Sequence, residues 1–351
     1  MTTDKHNKRP NVPPLRFPEF TDEWTETNIG SILSIGNGKD YKDLGNGNIP
    51  VFGTGGYLTS VNDYLMDGES VFIGRKGTIN KPSYYKGKFW TVDTLFYTHE
   101  FIGAVPRFVL YLFENIDWLK YNEASGVPSL SKSTIEKIKI NIPKTIEQKK
   151  ISAFISLLDR RIEVQSGLIN KLESLISGII ERLTAQSPNV RISDCLECHS
   201  STLQENQLNE AGGYRVYGAN GICGYTDNPG INCDAILIVK DGSGVGNVSY
   251  AMGEYSVIGT SNYLTAKNGY SLRYLYYSLM KFNFAPYKTG MAIPHIYFKD
   301  YGKAKIYCPS LEEQERIANN LSKIERKIEI ERSIKDNCIM QKKYLLQQMF
   351  I

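Results

Sequence analysis

Residues 146–185 read IEQKKISAFISLLDRRIEVQSGLINKLESLISGIIERLTA. The stretch holds no proline. Its apolar residues fall at Ile151, Ile155, Leu158, Ile162, Ile169, Leu172, Ile176, Ile179 and Leu183, in steps that alternate four and three, with Gln165 as the polar interruption. Such steps keep side chains on one stripe of an α-helix, and a stripe held over several heptads is the seam of a helix that pairs with another. Forty residues at about 1.5 Å each make a rod of about 60 Å. Residues 311–351 carry the same pattern, with Ile317, Leu321, Ile324 and Ile328 on the stripe and Glu331 standing one repeat after Gln165. Past Glu331 the seam weakens at Lys335, Cys338 and Lys342, and Ile334, Leu345 and Met349 are expected to restore it after a register slip. The natural partner of each rod is the other one.

The duplication extends upstream of both rods. Between Pro128–Glu163 and Pro294–Glu329, at an offset of 166, twelve of 36 pairs are identical. Further upstream an offset of 165 matches Val51-Phe52-Gly53 with Val216-Tyr217-Gly218, Gly56 with Gly221, Ile73 with Ile238, Gly77 with Gly242, Val92 with Val257, and Leu110-Tyr111 with Leu275-Tyr276. So long a period means a duplicated domain, not a solenoid. The residues ahead of each rod are rich in Gly, Tyr and Asn, with short aliphatic runs such as Ala235–Val239 between turn signals, and they read as β-rich with a little helix. The expected class is α+β. Two tandem β-rich domains are each followed by a long α-helix, and the helices pair as an antiparallel coiled coil with pseudo-twofold symmetry. The expected boundaries are a Pro-rich lead at 1–19, a first β-rich domain at 20–145, a rod at 146–187, a second β-rich domain at 188–310 and a rod at 311–351.

Composition narrows the class of function. The chain has 351 residues, 41% hydrophobic and 22% charged, with a net charge of +4. That excludes a disordered or membrane-embedded chain and permits a nucleic-acid partner without requiring one. Met1 to Pro10 is polar and basic, so no secretory signal is expected. All six cysteines lie in the second half, and reduced thiols are the expectation.

Three motifs invite an enzyme reading. Cys195-Leu-Glu-Cys198-His199 is formally a C-x-x-C-H haem-attachment string, and Cys223 and Cys233 could complete a zinc set, but haem attachment needs export and the 223–233 spacing is loose. Gly242-Ser-Gly244-Val-Gly246 resembles a phosphate loop, yet no Gly-Lys pair is followed by Ser or Thr. Phe52-Gly-Thr-Gly-Gly56 faintly resembles an S-adenosylmethionine loop, but the chain lacks the Asn/Asp-Pro-Pro-aromatic motif of an adenine methyltransferase. A Cys/His metal protein and a coiled-coil scaffold that binds only protein remain as alternatives.

Pro14-Leu-Arg-Phe-Pro-Glu-Phe20 followed by Trp24 resembles the start of type I restriction–modification specificity subunits. So do Phe52–Gly56 and Tyr217–Gly221, Arg75-Lys-Gly77 and Lys240-Asp-Gly242, and the Pro-x-x-x-Glu-Gln pattern at Pro143 to Gln148 and Pro309 to Gln314. The resemblance covers nearly the whole chain. It implies a non-catalytic reader of double-stranded DNA in a prokaryotic cytoplasm, with one target-recognition domain for each half of a bipartite asymmetric site. It also implies two methyltransferase subunits as partners and, in a complete system, restriction subunits. S-adenosylmethionine, ATP and Mg then belong to the partners, and this chain is expected to hold no cofactor, no metal and no membrane contact. DNA-contact candidates are loop residues bearing basic, amide or hydroxyl groups: Lys39, Lys42, Arg75, Lys76, Asn80 and Lys81 in the first domain, and Asn220, Lys240, Ser243, Asn247, Lys288 and His295 in the second. Arg75, Lys76 and Lys240 lead, because both copies place a basic group just before the shared glycine.

Overall fold

Aliphatic runs become central strands here, and glycine-bearing stretches become the turns between them. The computed structural model describes residues 11–351, so the first ten residues, the polar and basic start of the lead assigned to 1–19, lie outside the described residues. A first unit holds the residues up to Gln165 together with Ser333–Ile351. Its strands are β1 (Thr25–Asn28), β2 (Ser34–Asn37), β3 (Asn46–Gly53), β4 (Gly56–Val61), β5 (Met66–Gly74), β6 (Ser83–Thr91), β7 (Leu95–His99) and β8 (Lys139–Ile142). Six form one sheet in the order β2-β7-β5-β6-β3-β4, antiparallel except where β3 runs beside β6. Helices α1 (Ile29–Ile32), α2 (Pro106–Asn115) and α3 (Lys132–Lys137) complete the domain. Residues 108–113 of α2 and 70–74 of β5 are all buried, because both elements sit at the centre of one core. β1 pairs with β8, with Thr25 opposite Ile142.

The second unit, Ser166–Arg332, repeats this plan. Its elements are β9 (Val190–Arg191), α5 (Ile192–Cys195), β10 (Leu196–Ser200), β11 (Tyr214–Gly218), β12 (Gly221–Thr226), β13 (Ala235–Val239), β14 (Val248–Ala251), β15 (Ser256–Val257), β16 (Ser261–Ala266), α6 (Leu272–Met280), α7 (Phe298–Tyr301) and β17 (Lys305–Ile306). The strands form a four-stranded sheet, β10-β16-β13-β14, a three-stranded sheet, β12-β11-β15, and an antiparallel pair, β17-β9. All five residues of β13 are buried, as a strand covered on both faces requires.

Two long helices, α4 (Thr145–Thr184) and α8 (Leu311–Met349), follow the β-rich regions. The unit boundary falls inside both, at the two polar interruptions of the seam, Gln165 and Glu331 or the residue beside it. In the first unit the helix segments run antiparallel. Lys342 Nζ meets Asp159 Oδ1 at 2.7 Å, while Leu346, Met349 and Phe350 share a core with Ile151 and Ile155. In the second, Arg332 pairs with Glu173, and Ile169, Ile176 and Ile180 share a core with Leu321 and Ile328. Along the stripe Ile151, Ile155, Ile169, Ile176, Leu321 and Ile328 are buried, whereas Leu158, Ile162, Leu172, Ile317 and Ile324 are half-buried. Among the described residues no helix is long and apolar enough to cross a membrane.

Two expectations need correction. The seam of α8 does not slip. It continues through Glu331, Lys335, Cys338, Lys342, Leu345 and Met349 in the same steps of four and three, each buried or half-buried. Two of the polar members find partners there: Glu331 pairs with Lys327, and Lys342 pairs with Asp159 and Glu114. The upstream offset also changes from 165 to 166 between Gly77/Gly242 and Tyr84/Tyr250. Arg107 lies over the Tyr84 ring at 4.0 Å and Arg273 over the Tyr250 ring at 4.3 Å. Tyr111 Oη donates to Asp159 at 2.6 Å, and Tyr277 Oη to Glu325 at 2.6 Å. Tyr111 therefore corresponds to Tyr277, not Tyr276. Val92 corresponds to Ile258, not Val257, since their N–H groups donate to the matched carbonyls of Phe52 and Tyr217.

Candidate nucleic-acid interface

The basic residue before each shared glycine sits in a backbone knot built the same way in both units. In the first, the N–H groups of Arg75 and Lys76 both donate to the Thr94 carbonyl (2.8 and 3.3 Å), Gly77 N–H donates to the Pro128 carbonyl (2.8 Å), and Leu130 N–H donates to the Arg75 carbonyl (2.9 Å). In the second, Lys240 and Asp241 donate to Thr260 (2.9 and 3.2 Å), Gly242 to Pro294 (3.0 Å), and Ile296 to Lys240 (2.9 Å). Gly77 has φ of 85° and Gly242 of 95°, a region that L-residues with a Cβ avoid at a cost of about 1 kcal/mol. With the turn's amides bonded to its own protein, its side chains are what remain for a ligand, Lys76 exposed and Arg75 and Lys240 half-buried.

The other candidates gather unevenly around these knots. Lys39 lies beside the first, its N–H bonded to the Thr91 carbonyl at 2.8 Å, while the Arg75 guanidinium reaches the Asp93 carbonyl at 3.4 Å. Lys42 is three residues further on, exposed and loosely paired with Asp40 at 3.9 Å. Asn80 and Lys81 are exposed where the loop leaves for β6. A groove of about 320 Å³ beside the turn is lined by Arg75 and Lys76 together with Asn37 and Lys132. No local motif marks Asn37 or Lys132; β2 and the start of α3 carry them there from far along the chain. In the second unit His295 bridges Asp241 on one side and Thr289 on the other, next to Lys288. Asn247 lines a second groove, of about 480 Å³, with Tyr217–Ala219 and Gly221; Asn220 and Ser243 are exposed beside it.

The Pro-x-x-x-Glu-Gln pattern acquires a physical role. Gln148 is buried at the foot of α4. Its Oε1 accepts the Val105 N–H (2.8 Å) ahead of α2, and its Nε2 donates to the carbonyls of Gly103 (2.9 Å) and Pro143 (2.8 Å). Gln314 does the same for α6, accepting from Ser271 (3.0 Å) and donating to Pro309 (2.9 Å). One amide thus satisfies an N–H at the start of the shorter helix and carbonyls of the segments that lead into the helices. Glu147 accepts a bidentate pair from Arg16 at 2.7 Å each and a third bond from Trp24 Nε1 at 3.3 Å, which anchors the Pro14–Trp24 segment.

The enzyme-like motifs spend their groups internally. In Gly242–Gly246 and just beyond, the N–H groups of Val245, Gly246 and Asn247 donate to the carbonyls of Gly242, Val239 and Gly244. Cys195 donates into its own helical turn at Ile192 (3.3 Å) and is pushed up by its bond to Cys308 and by burial. Cys198 is pushed up to about 11 by burial, with Lys240 pulling the other way, and His199 Nε2 bonds Thr265 Oγ1 at 2.9 Å. Among the described residues no three His, Cys, Asp or Glu side chains converge as a metal would need.

Comparison with known proteins bears on the whole chain. The type I restriction modification DNA specificity domain matches twice, over residues 21–174 and 188–338. The fold is similar to the S subunit of a type I restriction–modification system from M. genitalium, with a TM-score of 0.74 at 16% identity over 97% of this chain and 99% of that one. It is also similar to a chain solved in work on complex assembly and conformational transition of the type I R-M system, with a TM-score of 0.52 at 14% identity over 96% and 98%. No curated protein sequence matches. Two matched domains, each with its knot and its long helix, place this chain in the type I restriction modification DNA specificity family, whose domains select sequence and carry no catalysis.

Proposed function

We propose that the chain reads a bipartite, asymmetric DNA site, one half-site per unit, and presents it to two methyltransferase subunits and, in a complete system, to restriction subunits. Adenine-N6 methylation with S-adenosylmethionine, and ATP- and Mg-dependent cleavage, belong to those partners. The observation that carries this reading is the doubled knot. Each unit holds its own basic turn, with Lys76 exposed and Arg75 and Lys240 half-buried; a groove lined by Arg75, Lys76, Asn37 and Lys132 opens at the first, and Asn247 lines a groove in the second. Lys and Arg hold phosphates and set register, while amide, hydroxyl and guanidinium groups read base edges. Each long helix has one half in each unit, so helix length sets the separation of the half-sites. Exposed apolar residues on the helices, among them Leu157 (63%) and Val164 (63%) on α4 and Met340 (61%) on α8, suit protein docking.

The test is DNA binding by the chain assembled with its methyltransferase, together with methylome sequencing of a host carrying both. A two-part methylated motif is expected. Absent or sequence-independent binding overturns the reading. Lengthening both helices by one or two turns is expected to widen the gap and leave both half-sites unchanged.

A further inference from the structure

Each knot carries something that neither charge nor hydrogen bonding explains. The proline whose carbonyl takes the glycine N–H follows an aliphatic side chain that faces solvent: Val127 before Pro128 and Ile293 before Pro294, each 66% exposed. The two positions correspond across the repeat at the offset of 166 that Pro128 and Pro294 obey. Both sit on loops closed at the base. In the first, Asn122 Oδ1 accepts from Ala124 (3.1 Å) and Ser129 (2.9 Å), and Glu123 N–H donates to the Ser129 carbonyl (3.0 Å). In the second, Thr289 and His295 exchange both backbone bonds (2.9 and 2.8 Å).

We infer that Val127 and Ile293 are specificity-determining residues, each pressing an apolar side chain onto the bases of its own half-site. The inference rests on the reading above and deepens it. An aliphatic group held out on a braced loop, accompanied in the second by the fully exposed Met291, loses little rotamer freedom on contact, because branching at Cβ restricts χ1. The neighbours choose the partner. Arg75, Lys76 and Lys132 line the groove at the base of the first loop, where the one carboxylate, Glu123, is taken up by Ser131 and Thr134, and Lys240 and Lys288 stand next to the bridges that close the second. Cations around a small apolar tip complement duplex DNA, whose phosphates flank two apolar surfaces that depend on sequence, the thymine methyl and the face of a parted base step. Without these tips the basic turns would hold the backbone and leave sequence to polar contacts alone.

The experiment is methylome sequencing with the full chain and its methyltransferase, comparing Val127→Ala and Ile293→Ala with the unchanged chain. Val127→Ala is expected to relax or abolish recognition at one base pair of one half-site only, and Ile293→Ala at one base pair of the other. The untouched half-site reports that the protein still folds and assembles. Purified complexes are expected to bind the motif on the order of 10-fold more weakly, with the same affinity for random duplex and the same salt slope. Replacing thymine by uracil at the relaxed position separates the two apolar surfaces: it weakens the unchanged chain and not the variant where the methyl is the contact, and leaves both alike where a parted step is. An unchanged motif in both variants overturns the inference. So does damage to both half-sites by one variant, or weakened binding to random duplex. If the unchanged chain yields no two-part motif, the reading beneath it fails instead.

Discussion

In the first unit a nine-residue strand, β6, pairs with β5 along one part and with β3 along another, tying six strands into one sheet. In the second its counterpart is broken at Met252–Tyr255, which leaves β14 in one sheet and β15 in the other. The polar chemistry under the sheets differs as well. Asp159 takes its cation from α8, where Lys342 also holds Glu114 at 2.7 Å. Glu325 takes its cation from α6, as Arg273 at 2.7 Å, and the position one repeat before Lys342 is the buried Ile176. What stays constant is the knot around Gly77 and Gly242, the glutamine at each rod's foot, and the tyrosine that donates to an acid on the rod. The copies diverge where a strand need only bridge two layers and agree where a domain is fastened to its helix or holds its basic turn. That is the division expected if the fastening is common and the outer surface is what two different half-sites select.

Several substitutions can break or sharpen this comparison. The largest expected effect comes from exchanging residues 20–145 for the corresponding domain of another family member: one half-site of the methylated motif changes completely and the other stays, read by methylome sequencing. Lys342→Ala takes the cation from two partly buried carboxylates and is expected to cost about 3 kcal/mol in urea unfolding, more than Arg273→Ala, which takes it from Glu325 alone. Gln148→Ala is expected to cost about 2 kcal/mol and Gln314→Ala about 1 kcal/mol, since the first amide makes three bonds and the second two. Gly77→Ala and Gly242→Ala should cost about 1 kcal/mol each and alike, because the added Cβ meets nothing closer than 3.9 Å at Gly77 and nothing at Gly242. A marked inequality between the two would mean that the knots are not equivalent.

The smallest effect is a pH dependence expected from the raised carboxyl of Glu114 in the first unit. Burial raises the Glu114 carboxyl above its ordinary 4.5, against the pull of Lys342. A carboxyl raised in the folded state contributes stability below the unfolded value and loses it as pH rises through the folded one. Glu114→Gln is therefore expected to flatten a shallow fall in stability on the alkaline side of 4.5, read from unfolding curves at a series of pH values.

Much of this was legible in the chain. The heptads declare themselves because a helix's period is local, and the shared glycines because a positive φ admits few other residues. The polar half of the α8 seam was harder to read. Lys335, Cys338 and Lys342 look like a failing stripe until Lys342 meets Glu114, 228 positions away. The one-residue change of offset was hidden for a similar reason: two adjacent tyrosines, Tyr276 and Tyr277, both fit the sequence match, and only the bond to Glu325 distinguishes them. In the candidate interface the basic turns could be named from the repeat, whereas Asn37 and Lys132 could not, and an exposed valine or isoleucine before a proline carries no signal of its own.

By itself the sequence determined the duplication, the two paired rods, the β-rich character ahead of each and the family. All of these are written in spacing and residue type, which short-range sterics and burial enforce. The tertiary structure alone decided which polar residues the core tolerates, where the sheet breaks, and which loops meet around Arg75 and Lys240. Those outcomes depend on partners that the chain brings together only after it has closed on itself, and a buried charge or an open loop tip has no meaning until its neighbours are in place.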